Sequence, residues 1–119
     1  MHFPRTGGPQ TRERAREIVE RVVDRIVREY DPDKVIVFGS FARGDIHEGS
    51  DLDLLIVKET SERFTDRIGM VLRLCDFDIA VEPLVYTPAE LKRMAERGND
   101  FILTALREGR VVYEKQQAV

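Results

Sequence analysis

The stretch from Val35 to Val57, VIVFGSFARGDIHEGSDLDLLIV, constrains the architecture of this chain more than any other. Val35-Ile36-Val37-Phe38 is a short continuous apolar run, the pattern of a buried strand. Gly39-Ser40 ends it, Phe41 to Arg43 begins a short helix, and Gly44 to Ser50 is a polar loop with two glycines. Asp51 to Val57 is a second strand. Two strands this close together call for a sheet, and the flanking segments supply what covers it.

Upstream, Met1 to Gln10 carries two prolines and two glycines and reads as a loose N-terminal arm. Thr11 is placed to cap a helix running to Tyr30, with Ala15, Ile18, Val19, Val22, Val23, Ile26 and Val27 at the spacing of one buried face. Its arginines interleave with acidic residues, which predicts a solvated, ion-paired outer face. Asp31-Pro32-Asp33 stops it. Downstream, Ser61 is placed to cap a helix whose apolar face is Phe64, Ile68, Val71, Leu72 and Cys75. Phe77 to Tyr86 reads as a third strand; Pro83 puts it at an edge or gives it a bulge. Thr87-Pro88-Ala89-Glu90 joins a capping box to a proline at the first helical position. A further helix spans Asn99 to Glu108 and is closed by Gly109; Arg110 to Tyr113 is a last short strand, followed by a polar tail. The predicted class is α/β (α+β): a small mixed sheet of three to four strands with helices packed on it.

The 119 residues fit one domain, 11–119 after the arm, with a single two-layer core. A hydrophobic fraction of 42% is that of a globular protein, and no apolar run approaches the ~20 residues of a membrane span. The first ten residues lack the apolar core of a signal peptide, so the expected compartment is the cytoplasm. With a net charge of -3, a basic surface for gripping extended nucleic acid is not evident from the total charge. Cys75, the single cysteine, excludes an internal disulfide and reads as a packed core thiol.

The chemistry lies in Asp51 and Asp53. On a strand, positions i and i+2 share a face, with Cα atoms ~6.5 Å apart. Two carboxylates so placed suit hard cations such as Mg²⁺, and a pair of such ions activates an attacking hydroxyl and steadies a leaving oxygen. Alone, Asp-Leu-Asp is a weak signal and fits two solvent-facing residues equally well. A strand, Gly-Ser at its end, ten residues, then Asp-Leu-Asp on the next strand is much rarer. Gly39 admits a ligand close to the backbone, Ser40 adds a hydroxyl and exposed N–H groups, and Arg43 adds charge for a triphosphate. Ser50 either caps the strand entry or touches a phosphate. Gly44 and Gly49 equally fit plain turn residues, His47 a surface histidine, and Asp45 and Glu48 solvated loop charges. Tyr86, Phe101 and Tyr113 read as core rather than nucleotide-stacking residues.

From Gly39 through Leu54 the chain fits GSxARGxxxxxSDxDL and resembles the minimal nucleotidyltransferases of the DNA polymerase beta superfamily. VYTPAEL near residue 85 and FILTALREGRVVYE near the end have the look of the later part of the same short family. The resemblance implies the polymerase-beta-type nucleotidyltransferase fold, a nucleoside triphosphate such as ATP held on Gly39 and Ser40, and two Mg²⁺ held by Asp51, Asp53 and a third carboxylate. An acceptor hydroxyl then attacks the α-phosphate and pyrophosphate leaves. In the family the third carboxylate is an Asp ahead of a Thr-Pro helix start. Here the position falls on Glu82, one methylene longer, with Asp78 as the alternative. Small members of this kind pair with a helical HEPN-type protein, which implies an antitoxin-like transfer of AMP to a hydroxyl of that partner. Two other roles remain open: neutralising the partner by contact alone, and modifying a small hydroxylated molecule.

Overall fold

The computed structural model describes residues 9–44, 50–75 and 79–116, the first four of these as backbone only. Among the described residues nine elements follow one another: α1 (Pro9–Tyr30), β1 (Lys34–Phe38), α2 (Ser40–Arg43), β2 (Leu52–Val57), α3 (Phe64–Leu74), β3 (Val81–Tyr86), α4 (Pro88–Glu96), α5 (Asp100–Glu108) and β4 (Arg110–Glu114). The strands form one mixed sheet in the order β3-β2-β1-β4. β1 runs antiparallel to β2 and β4, whereas β3 lies parallel to β2, with α3 as the crossover. None of the described helices is long and apolar enough to cross a membrane.

The sheet is covered on both faces, which corrects the expectation of a single two-layer core. α1 and α3 cover one face, where Val22, Ile26 and Val71 meet Val35, Val37, Leu54, Ile56 and Val85. α4 and α5 cover the other, where Ile102 and Ala105 meet Ile36 and Leu55, with Leu84, Leu91 and Met94 beside them. The cause is visible in β2, whose Leu54-Leu55-Ile56-Val57 run has no polar face to offer water.

α1 starts at Pro9 rather than after Thr11, taking two residues from the assigned arm; proline suits a first helical position because its missing N–H has no intrahelical acceptor. The expected ion pairs line its outer face, among them Arg28–Asp24 at 3.0 Å and Arg25–Glu29. At its far end Asp31 adopts φ 53°, and the Lys58 ammonium donates to the carbonyls of Tyr30 at 2.6 Å and Asp31 at 3.1 Å. A cation there meets the negative end of the helix and its unpaired carbonyls.

α3 departs from its predicted form. Arg63, not Ser61, precedes its first residue, and its inner stripe is Arg67 and Val71, while Phe64 and Leu72 are exposed. A buried arginine was not expected in that stripe. Its partners come from elsewhere in the chain. The guanidinium donates to Glu62 O at 2.8 Å, Val85 O at 3.3 Å and Glu90 Oε1 at 2.7 Å. Glu90 also completes the predicted capping box: its carboxylate accepts from Thr87 N at 2.8 Å, and its own N–H donates to Thr87 Oγ1 at 3.2 Å. One carboxylate therefore ties α3 to the start of α4.

β3 is an edge strand, as Pro83 requires. Its register with β2 is regular throughout, so the alternative of a bulge at Pro83 is not realised. The irregularity lies instead between β1 and β4, where Val112 is the extra residue between the Val35–Tyr113 and Ile36–Val111 pairs. Gly109 ends α5 in an extended conformation (φ -74°, ψ 163°), not a left-handed one. Its glycine is needed for proximity: an added Cβ would meet Ala105 O, and would lie 2.6 Å from Ile36 Cγ2.

Candidate active site

At one end of the sheet, β1 finishes where β2 and β3 begin. Phe38 pairs with Asp53, and Asp53 pairs with Glu82. Paired residues in adjacent strands project to the same face, so Phe38, Asp53 and Glu82 form one rung. The next rung inward is Ile36, Leu55 and Leu84, which α5 and α4 cover. Thus the α5 face changes from apolar to acidic within one step along the strands, and the acidic rung lies at the margin of the helical cover.

Asp51, just before β2, completes the cluster by interacting with both other carboxylates. Burial raises the Asp53 carboxyl above the ordinary aspartate value, and the charge of Asp51 adds to the rise, while the hydrogen bond from Glu82 and the charge of Arg43 oppose it. Glu82 is exposed and is raised first by its hydrogen bond to Asp53, then by the charges of Asp51 and Asp53. Asp78, the alternative third carboxylate, lies outside the described residues, as do His47, Asp45, Glu48 and Gly49 of the spacer and His2 of the arm.

Gly39 forms the floor beside the acids. Its φ of 72° with ψ of -150° falls in a region essentially restricted to glycine. A Cβ at this position would strike the Asp53 carboxylate. The close approach expected of Gly39 is therefore made first to Asp53, a relationship that spacing alone did not reveal. Ser40 opens α2, and Gly39 O accepts from Ala42 N and Arg43 N, both at 3.1 Å. Arg43 is exposed and near enough to lower Asp53. Gly44 ends α2 in the left-handed conformation (φ 77°), the plain turn role. Ser50 is half-buried directly before Asp51.

One aromatic reading changes, that of Phe101, while Tyr86 packs against the second core cluster as expected. Phe101 is 48% exposed rather than core, and its ring meets Phe38 edge-on, with centroids 5.5 Å apart and planes at 83°. Tyr86 is half-buried against Phe64, at 5.2 Å. Cys75 behaves as expected: burial lifts its thiol to about 11, which keeps it protonated and inert. A groove of about 760 Å³ lies under α1 on the opposite face, lined by Val19, Val23, Val37, Phe41 and Tyr113 among others. Its largely apolar wall has none of the clustered acids, so the chemistry belongs to the rung.

The carboxylates provide only anionic oxygen donors, the set that hard divalent cations prefer. Asp53 and Glu82, both raised with the charge of Asp51 beside them, are also an electrostatic environment that a cation relieves. Among the described residues, no three His, Cys, Asp or Glu side chains are already spread into a metal-holding arrangement.

A family model described as Polymerase beta, Nucleotidyltransferase matches residues 20–118. The chain belongs to this family. The resemblance carried by Gly39-Ser40 and Asp51-Leu52-Asp53 is borne out. Two relatives from Methanocaldococcus jannaschii share the name "Putative protein adenylyltransferase". One is 34% identical over 59 residues, covering 45% of this chain and 59% of its own length. The other is 32% identical over 80 residues, covering 67% and 77%. Among solved structures, a "putative nucleotidyltransferase" from Sulfolobus solfataricus superposes with a TM-score of 0.62 at 21% identity, covering 89% of this chain and 86% of its own. A second, titled as a toxin-antitoxin with AMP-PNP, gives 0.58 at 20% identity, covering 82% and 75%. At these identities the two structures establish the polymerase-beta-type nucleotidyltransferase fold.

Proposed function

We propose that this polymerase beta family member transfers AMP from ATP to a hydroxyl of a partner protein, a helical HEPN-type toxin that it restrains as an antitoxin. The observation that carries the reading is the rung that sets Glu82 beside Asp53, with Asp51 alongside and the Gly39-Ser40 corner beneath. The names of the two M. jannaschii relatives support adenylylation of protein, and the toxin-antitoxin structure with AMP-PNP supports the nucleotide and the kind of partner.

In this reading Gly39 and Ser40 receive the triphosphate, Ser50 touches it from the strand entry, and Arg43 balances its charge. Asp51, Asp53 and Glu82 would hold two Mg²⁺, which when bound neutralise phosphate charge and sharpen the attacking oxygen. The acceptor oxygen forms a bond to the α-phosphorus, the bond to the β-phosphate bridge breaks, and pyrophosphate leaves. The hydroxyl proton passes to a carboxylate of the rung, with Glu82 placed to take it. The remaining contribution is positioning, the dominant requirement of phosphoryl transfer.

The contact-only alternative makes a different prediction from the enzyme reading. The deciding experiment incubates the chain with α-labelled ATP, Mg²⁺ and the product of the neighbouring gene, then measures intact mass. A gain of one AMP on the partner, lost with Asp53→Asn, is the expected result. Silencing of the partner with no gain in mass would establish contact as the mode of action.

A further inference from the structure

We infer that Phe101 is the surface on which the base of the nucleoside triphosphate stacks; this rests on the nucleotide-transfer reading above. Phe101 lies in the first turn of α5 and is 48% exposed. The buried side of α5 is Ile102 and Ala105, closed over the inner rung of Ile36 and Leu55, while Leu103 and Leu106 share its exposure with Phe101. Phe101 stands one rung further out, against Phe38, which pairs directly with Asp53. The covering helix therefore presents a half-exposed aromatic ring at the margin where the acidic rung begins. Its edge-on contact with Phe38 fixes the ring while leaving part of it open.

The order of strands decides which substrate meets this ring. Across the rung run Phe38, Asp53 and Glu82, on β1, β2 and β3. Gly39 and Ser40, which receive phosphates in the proposed reaction, directly follow Phe38. Phe101 is therefore on the nucleotide side of the acids. Glu82 stands on the opposite side, on the edge strand of the sheet. A planar ring recognises any base through its π face, so it contributes affinity with little choice among bases. No side-chain donor or acceptor is needed for that role.

The test measures binding of ATP, GTP and inorganic tripolyphosphate to the full chain by calorimetry in Mg²⁺, with thermal unfolding as a check on the fold. Phe101→Ala is expected to weaken ATP and GTP alike by about 5- to 100-fold and to leave tripolyphosphate unchanged. Phe101→Trp is expected to retain nucleotide binding, whereas Phe101→Leu, which keeps apolar bulk, loses most of it. Wild-type affinity for ATP in Phe101→Ala overturns the inference while leaving the transfer reading intact. Equal loss of tripolyphosphate overturns it too, by showing that the ring only shapes the phosphate corner. If the wild-type chain binds no nucleoside triphosphate, both readings fall together.

Discussion

Asp53 and Glu82 are direct neighbours across a parallel strand pair, although the whole of α3 separates them in sequence. Their carboxyl groups share a hydrogen bond, and the charge of Asp51 acts on both. The third acid of the cluster is thus supplied by the strand register, without any distortion at Pro83.

Glu82→Gln should abolish nucleotide transfer, by at least ~100-fold, while preserving partner binding, which uses other surface. Asp78→Asn should have the smaller effect. Single-turnover transfer and a pull-down of the partner provide the two readouts. An essential Asp78 with a dispensable Glu82 would move the third-acid assignment while leaving the enzyme reading in place.

Gly39→Ala should damage both stability and nucleotide binding. The backbone there is in a glycine-only region, and the added methyl would strike the Asp53 carboxylate. Urea unfolding should show a loss of about 1–3 kcal/mol, and a valine should be worse. Ser40→Ala should cost only ~0.5–1.5 kcal/mol of affinity for a non-hydrolysable ATP analogue, the value of one neutral hydrogen bond. Normal stability in Gly39→Ala would show that the corner tolerates a side chain.

Gly109→Ala provides a contrast, because its φ of -74° suits any residue. The new methyl would press on Ala105 O, on Ile36 Cγ2 and on Val37 O, the last 3.1 Å away. Overpacking of this kind should cost about 1–3 kcal/mol in unfolding experiments and leave nucleotide affinity alone. Reduced affinity at unchanged stability would contradict the separation of this contact from the site.

Glu90 gives the fold an acid dependence of known sign. The hydrogen bond from Arg67 holds its carboxyl below the ordinary glutamate value. The folded state therefore binds this proton less readily than the unfolded chain does. The stabilisation is complete above the ordinary value and is lost as pH falls through the lowered one. Glu90→Gln leaves the Arg67 charge buried without its partner and should cost about 3 kcal/mol at neutral pH. The gap between variant and wild type should narrow as pH falls through the lowered carboxyl value, where Glu90 takes up its proton and both carry no charge at this position. A gap independent of pH would mean that the ion pair is not its source.

The sequence by itself determined the strands, most of the helices, and the pairing of Gly39-Ser40 with Asp51-Leu52-Asp53, because these are local patterns. An apolar run, a capping box at Thr87-Pro88-Ala89-Glu90 and an alternating Asp-Leu-Asp carry their physical cause within a few residues. Only the tertiary structure decided the relations between distant segments. Parallel pairing of β3 with β2 set Glu82 beside Asp53; Glu90 made a buried Arg67 tolerable; and the limit of α5 left Phe101 half-exposed beside the acids. Each depends on which element lies against which face. Side-chain periodicity gives the face but not the neighbour, since strand register and helix placement come from packing contacts made across the whole chain.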